Sequence, residues 1–139
     1  MNKQVAELIK TQHEHTIFKA LGILVTQIDA DETIVSLHID ERHRQHRGLV
    51  HGGVYVLLAE SAASIAAACT LTHRQQSVVA IEINANHVRS SQQGILHARS
   101  KNLHKGRQTL VYEVRVEDEN AKLISIARCT LMIMEKLEK

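Results

Sequence analysis

Proline and tryptophan are absent from the 139 residues, and the aromatic complement is two Tyr and one Phe. A core built from this composition is aliphatic, made of Val, Ile, Leu and Ala. So few rings also leave no stacking platform for single-stranded nucleic acid. The formal charge of +2 is too small to mark a nucleic-acid binder. Two cysteines, Cys69 and Cys129, lack the spacing of a disulfide framework and read as buried free thiols in a reducing compartment. The opening Met1-Asn2-Lys3-Gln4 leads into a polar amphipathic segment, not the apolar core of a signal peptide. The one long apolar run is Ala-rich, interrupted and slightly short for a bilayer span. The expectation is a soluble, cytoplasmic protein with neither membrane nor nucleic acid as partner.

Apolar residues make up 44% of the chain, enough to fold it. Its length fits one domain, residues 1–139, able to bury a core without metals or disulfide staples. Val5, Leu8 and Ile9 have helical spacing. Thr16 is placed to cap a short helical turn ending at Gly22. Strand-like runs at 23–28 and 33–39 flank the turn Asp29-Ala30-Asp31-Glu32. A polar loop, 40–47, then leads into the apolar run, which has the character of a long buried helix. Four more strand-like runs follow at 77–88, 95–103, 109–116 and 123–134, joined by short turns, so the late strands should be antiparallel hairpins. Two strands, a helix and four strands suit a curved antiparallel sheet wrapped around one long buried helix, an α+β architecture. Ala62, Ala63, Ala66 and Ala67 would let the sheet approach the helix closely. The open edges of such a sheet favour side-by-side dimerisation.

Within that helix stands one carboxylate, Glu60, between Ala59 and Ser61. An ionised acid in apolar surroundings is costly unless compensated, so its presence points to use. An acid held there suits a general base near neutral pH. Ser64 lies four residues on, on the same helix face, and could hold a water with it. The alternative is an ion pair across a subunit interface. Upstream, His51-Gly52-Gly53 opens the helix. First-turn N–H groups have no intrahelical partner and lie at the positive end of the helix dipole. Glycines without Cβ let an oxygen reach them, as in an oxyanion hole, although glycines here could equally serve only to turn the chain.

The loop Arg42-His43-Arg44-Gln45-His46-Arg47 is rich in cations and imidazoles. His43 and His46 lack a third ligand at suitable spacing, so no metal site is expected. His87, Arg89 and Ser90 close one strand, and His104, Lys105, Gly106 and Arg107 close the next hairpin. Such cations at strand ends can hold phosphate, or can be ordinary surface charge. Asn84 and Asn86 are unusual strand residues and hint at a site rim or a bulge.

Taken together, Gln45, His51-Gly52-Gly53, Glu60-Ser61, Ser64, the run from Glu82 to Arg89 and Leu103-His104-Lys105-Gly106-Arg107 resemble the hotdog-fold acyl-CoA thioesterases. The likeness is greatest to the bacterial branch that includes 1,4-dihydroxy-2-naphthoyl-CoA thioesterase and the enterobactin proofreading enzyme, and it covers residues 15–136. Relatives often carry Pro after the loop Gln, where this chain has His46. The resemblance implies a hotdog fold and hydrolysis of an aryl- or medium-chain acyl-CoA, with CoA as part of the substrate and no separate cofactor. It assigns Glu60 as nucleophile or base, the Gly52 N–H as oxyanion donor, and Gln45 and His51 as groups that position the thioester. Ser64 would hold the water or the carboxylate. His87, Arg89, Ser90, His104, Lys105, Gly106 and Arg107 would follow the CoA. It further implies sites shared between subunits of a homotetramer, a dimer of dimers. Two other readings stay open: an acyl-CoA-binding protein without turnover, and a 3-hydroxyacyl thioester dehydratase using His51 with Glu60.

Overall fold

Thr16 takes the N-cap position of a five-residue helix, α1 (Ile17–Leu21), with extended backbone but no capping bond from its hydroxyl. Gly22 ends α1 in the left-handed conformation at φ 68°, where it closes its N–H on the carbonyls of Lys19 and Phe18. The structure, a computed structural model, describes Glu7, residues 13–73 and residues 75–135. The helix expected around Val5, Leu8 and Ile9 lies outside the described residues. β1 (Ile23–Gln27) and β2 (Ile34–His38) form the first hairpin. A 3-10 turn, Glu41–His43, then precedes α2 (Gly52–Ala68). The remaining strands are β3 (Gln76–His87), β4 (Ile95–Lys105), β5 (Thr109–Asp118) and β6 (Leu123–Glu135).

Every neighbouring pair of strands is antiparallel, in the spatial order β1-β2-β4-β5-β6-β3. β3 therefore forms the far edge, and α2 packs on all strands from β2 to β6. This is the expected hotdog arrangement. Tyr55, Leu58, Ala59, Ala62, Ala63, Ala66 and Ala67 form the buried stripe of α2, at the spacing of one helix face. The five alanines expose no surface, so the sheet meets helix backbone almost directly. Facing them are aliphatic residues such as Leu37, Leu96, Val114 and Leu131 and one buried Tyr112. The Tyr112 hydroxyl donates to the Ala30 carbonyl at 3.0 Å, and burial pushes its pKa to about 12. A larger side chain at Ala63 would overpack this contact at about 1–3 kcal/mol.

The helix is not buried all round, as its composition suggested. Val54, Leu57, Ser61, Ser64 and Ala68 form a second stripe that one chain leaves partly open. No helix among the described residues is long and apolar enough to cross a membrane.

A bulge between Ala80 and Glu82 breaks the β3–β6 register and leaves Ile81 unpaired. The bulge shifts the phase of the strand. Val78 and Ala80 before it, and Ile83 and Ala85 after it, all pack on the core, which carries His87 onto the helix side as well. Asn84 and Asn86 are exposed, with the Asn84 amide bonded to Glu82. The irregularity anticipated from the asparagines thus sits three residues earlier than Asn84.

The β5–β6 turn is built on Asp118, whose carboxylate accepts the N–H groups of Asn120 and Lys122 at 2.9 Å each. The tight path holds Ala121 at φ 59°, a conformation costing an L-residue roughly 1–2 kcal/mol. Glycine avoids that cost but loses roughly 0.5–1 kcal/mol more in chain entropy. Ala121→Gly should therefore gain about 0.5–1 kcal/mol, read as a higher denaturant midpoint at unchanged slope. A lower midpoint would show that the turn stores no strain at this position.

Candidate active site

α2 starts where it does because His51 caps it. His51 has φ −65° and ψ 133°, and its Nδ1 accepts the Gly53 N–H at 2.8 Å. That N–H can only donate, so the neutral ring carries its proton on Nε2. The Val54 N–H goes to the His51 carbonyl at 2.9 Å. Among the described residues the Gly52 N–H has no acceptor. Of the two glycines, Gly52 is thus the one with a donor to offer, at the positive end of a 17-residue helix.

Gln45 reaches this point from a small hairpin. Its N–H donates to the Leu49 carbonyl at 2.8 Å, and its carbonyl accepts the Gly48 N–H at 2.9 Å. The loop turns at Gly48, φ 84°, rather than at His46. The side-chain Oε1 of Gln45 accepts the Arg47 N–H. Because that partner is a donor, the orientation of the amide is settled, and its NH2 end remains a donor. Gln45, Gly52, His87, Arg89 and Ser90 share a cavity of about 330 Å³, with apolar wall from Leu49, Tyr55 and Val88.

His87, expected along the CoA path, stands at the helix start. Its Nδ1 is 2.8 Å from Ser125 Oγ, which in turn donates to the Asn86 carbonyl at 3.3 Å. The Ser125 proton is thereby used, so Nδ1–H donates to Ser125 and Nε2 is bare. Nε2 lies 2.9 Å from where a Cβ on Gly52 would be. The ring stands edge-on to Tyr55, centroids 5.3 Å apart. Arg89 donates through Nη1 to the Leu123 carbonyl at 2.7 Å, and Ser90 is exposed at the rim.

Glu60 follows Gly52 by eight residues, about 12 Å along the helix axis. One chain therefore cannot present this acid and this amide to the same carbonyl. Glu60 is only partly buried, and among the described residues no hydrogen bond or ion pair reaches it, from Ser64 or elsewhere. It stands over the β3–β6 side of the sheet: burial raises the Cys129 thiol to about 12, and the nearby charges of Glu60 and Glu82 add to that. His104, Lys105, Gly106 and Arg107 lie at the opposite end of the sheet from His87. On β6, the partner of His87 is Ser125 and the partner of Thr109 is Met132, a separation of about 23 Å along the strand. The two cation groups read from the sequence as one path are therefore not joined within a chain.

Among the described residues no cluster of His, Cys, Asp or Glu is arranged to hold a metal. His43 has both ring nitrogens engaged, by the Asp40 N–H and the Leu21 carbonyl.

The model of the thioesterase superfamily matches residues 47–125, more than half of the chain and inclusive of His51, Gly52, Glu60 and His87. The chain belongs to the thioesterase superfamily. This thioester hydrolase is 39% identical over 118 residues to the 1,4-dihydroxy-2-naphthoyl-CoA hydrolase of Listeria monocytogenes, covering 85% of this chain and 95% of that protein. It is 36% identical over 132 residues to the Escherichia coli K12 protein of the same name, covering 95% and 96%. The crystal structure of a thioesterase from Haemophilus influenzae matches with a TM-score of 0.88 at 32% identity, over 95% of this chain and 92% of that one.

Two residues escaped the sequence reading: Tyr55, which lines this thioesterase's cavity, and Ser125, which bonds the His87 ring behind it. Tyr55 looked like core, and is core, but its hydroxyl bonds Ser91 at 2.7 Å beside the cavity. Ser125 was legible in principle, as the one polar residue in the inward alternation Ser125, Ala127, Cys129, Leu131 of β6. Cys69 and Cys129 are free, and Cys129 is buried. With its thiol pushed to about 12, Cys129 should resist a thiol reagent at pH 8 until the chain unfolds. Mass spectrometry after native and denatured labelling reads this directly, and native labelling of Cys129 would contradict its placement.

Proposed function

We propose that the enzyme hydrolyses an acyl-CoA thioester, aryl or medium-chain, to a carboxylic acid and free CoA. The observation that carries the reading is the unpaired Gly52 N–H at the head of α2, with the Gln45 amide donor opening into the same cavity. The thioester oxygen accepts from both donors. Charge that develops on this oxygen as the carbonyl becomes tetrahedral is met by donors already aimed at it, an effect worth roughly 10²–10³ in rate per donor. His51 fixes the first turn through its cap on the Gly53 N–H and leaves Nε2–H free to donate. The carboxylate is Glu60 of a second copy, since the acid on the same helix is about 12 Å away.

Either Glu60 takes a proton from water as the water oxygen bonds the carbonyl carbon, or Glu60 itself makes that bond and the resulting anhydride is hydrolysed. In both routes the C–S bond breaks, and its electrons leave with the CoA thiolate, which ends protonated as the thiol. Ser64, one turn on, holds the water. The dehydratase reading needs His51 paired with Glu60. That pairing finds no support here, because His51 Nδ1 is committed to Gly53.

The same second copy answers three features of the single chain: the 12-residue edge strand β3, the half-open stripe of α2, and Glu60 beside that edge. A two-fold contact along β3 runs the paired elements antiparallel, which brings the 104–107 end of one chain toward the 87–90 end of the other. His87, Arg89, Ser90 and His104 to Arg107 then border one CoA-binding path. The exposed Val79, Met132 and Met134, neighbours in register, support a further contact between dimers. The names of the Listeria and Escherichia relatives favour an aryl acyl group.

Glu60→Gln should lower kcat about 10²–10⁴-fold while KM for benzoyl-CoA or hexanoyl-CoA stays within a few-fold. Near-normal turnover would remove the proposal. Gly52→Ala should also be nearly inactive, because its Cβ meets the His87 ring at 2.9 Å and crowds the amide. Refolding the two inactive chains together should restore about a quarter of wild-type activity, since random pairing makes half the dimers mixed and each mixed dimer has one intact site. A mixture no better than its parts would mean that the sites are not shared. Single turnover in ¹⁸O-water separates the routes: label in the Glu60 carboxylate marks the anhydride, and label in product alone marks direct attack.

A further inference from the structure

We propose that His43 is a positioning residue for hydrolysis, its buried imidazole setting the separation between the Gln45 amide and the Gly52 N–H. This rests on the reading of those two groups as the oxyanion donors. His43 is 1% exposed. Nδ1 accepts the Asp40 N–H at 2.9 Å, and Nε2 donates to the Leu21 carbonyl at 2.8 Å. A backbone N–H can only donate and a carbonyl can only accept, so the proton on the Leu21 side of the ring sits on Nε2. Both nitrogens are spent on backbone, one on each side of the ring. The ring thus ties the end of α1 to the turn that follows β2.

The backbone of the same residue carries the site. The His43 carbonyl accepts the His51 N–H at 2.8 Å. Above this rung Arg44 bridges Val50, and Gln45 pairs with Leu49 at 2.8 Å. Residues 43–51 therefore form one small hairpin closed at Gly48. Gln45 rides on its first leg. His51, the cap that delivers Gly52, ends its second leg. The base of the hairpin is anchored to the body of the protein by the buried His43 side chain, while its legs are tied separately to residues 91 and 92, the Val50 N–H donating to the Ser91 carbonyl at 2.9 Å and Arg44 Nη2 to the Gln92 carbonyl at 3.2 Å. Arg42 braces the same base, donating to the Ala20 carbonyl at 2.5 Å and to the Asp40 carboxylate at 2.7 Å. The Arg42 hydrogen bonds hold the Asp40 carboxyl well below the ordinary carboxylate range.

A histidine that only filled space would be replaceable by an apolar residue at a cost in stability alone. A strut must also keep two donors in register, and a misplacement of about 1 Å at reacting groups can cost on the order of 10²-fold. His43→Ala should lower kcat for benzoyl-CoA about 10–100-fold with KM within a few-fold. His43→Asn, which can return an acceptor to the Asp40 N–H, should recover most of that loss. Leu131→Ala, a core change remote from the hairpin, serves as the control, lowering Tm but leaving kcat of the folded enzyme unchanged. In a Gln45→Ala background the His43→Ala change should cost markedly less than in wild type, because one of the groups it positions is gone.

Losses that simply multiply, or a His43→Ala enzyme whose kcat falls no more than the Leu131→Ala control, would overturn the proposal. Hydrogen exchange gives a readout that needs no substrate. The amides of Gln45, Gly48 and His51 should exchange faster in His43→Ala and close to wild type in His43→Asn, and unchanged exchange would refute the strut outright. Failure of the functional reading looks different: faster exchange at these amides together with no hydrolysis by the wild-type protein of any CoA ester tried.

Discussion

The close approach of α2 to the sheet governs the rest of the molecule. Five alanines with no exposed surface bring helix backbone against the aliphatic side chains of β2, β4, β5 and β6. At that distance six strands curl around one helix with two tyrosines, Tyr55 and Tyr112, set among mostly aliphatic side chains, which is how a chain with one Phe and no Trp builds a core. The same packing fixes the line of the helix axis. Its first turn is held at the sheet end where β3 finishes and β6 begins, and Glu60 is held above the β3 edge. Small side chains also give little reach, so helix and sheet have little room to slide against each other.

Incompleteness is the second consequence. A helix rises about 1.5 Å per residue, and no side-chain rotamer brings an acid eight residues away back to the first turn. The half-open stripe from Val54 to Ala68 and the long β3 edge are unfinished surfaces of the same kind: each is ordinary once a second copy lies against it and a liability if none does. On the proposed mechanism, chemistry and solubility ask for the same contact. The division of labour is also plain. Gly52, Gln45, His51 and His87 form a rigid receiving end built from caps, turns and a strand terminus. In the proposed dimer, Glu60 is the single reactive group that a second copy brings to such an end.

Much of this was legible in the chain itself. The element order followed from turn residues and periodicity, and Gly22 occupies the left-handed position that its place in the sequence implied. Glu60 stood out as a charge in an apolar run, and the His51-Gly52-Gly53 turn as a helix start with free donors. What could not be read were facts of register and distance. His87 looked like a companion of Arg89 on a nucleotide path. The β3 bulge, which depends on how β3 meets β6, also puts it beside Gly52, in the cavity it shares with Arg89. His104 to Arg107 looked like the continuation of that path and lies about 23 Å away along the strand. His43 looked like one more polar residue of a solvated loop and is buried between Leu21 and Asp40, because the capping of the 3-10 turn by Asp40 turns the ring inward.

Sequence alone determined the classes of element, the aliphatic character of the core, and the residues able to do chemistry, because these depend on local preferences and on the cost of placing a charge among apolar neighbours. Tertiary structure alone decided which of those residues meet. Hydrogen-bond direction selected Gly52 over Gly53 as the free donor and settled the amide of Gln45 and the rings of His43, His51 and His87. Strand register and helix rise set the distances that separate Glu60 from Gly52 and one cation group from the other. Such distances come from the closure of long-range contacts, between residues far apart in the chain, and no local pattern of side chains encodes them.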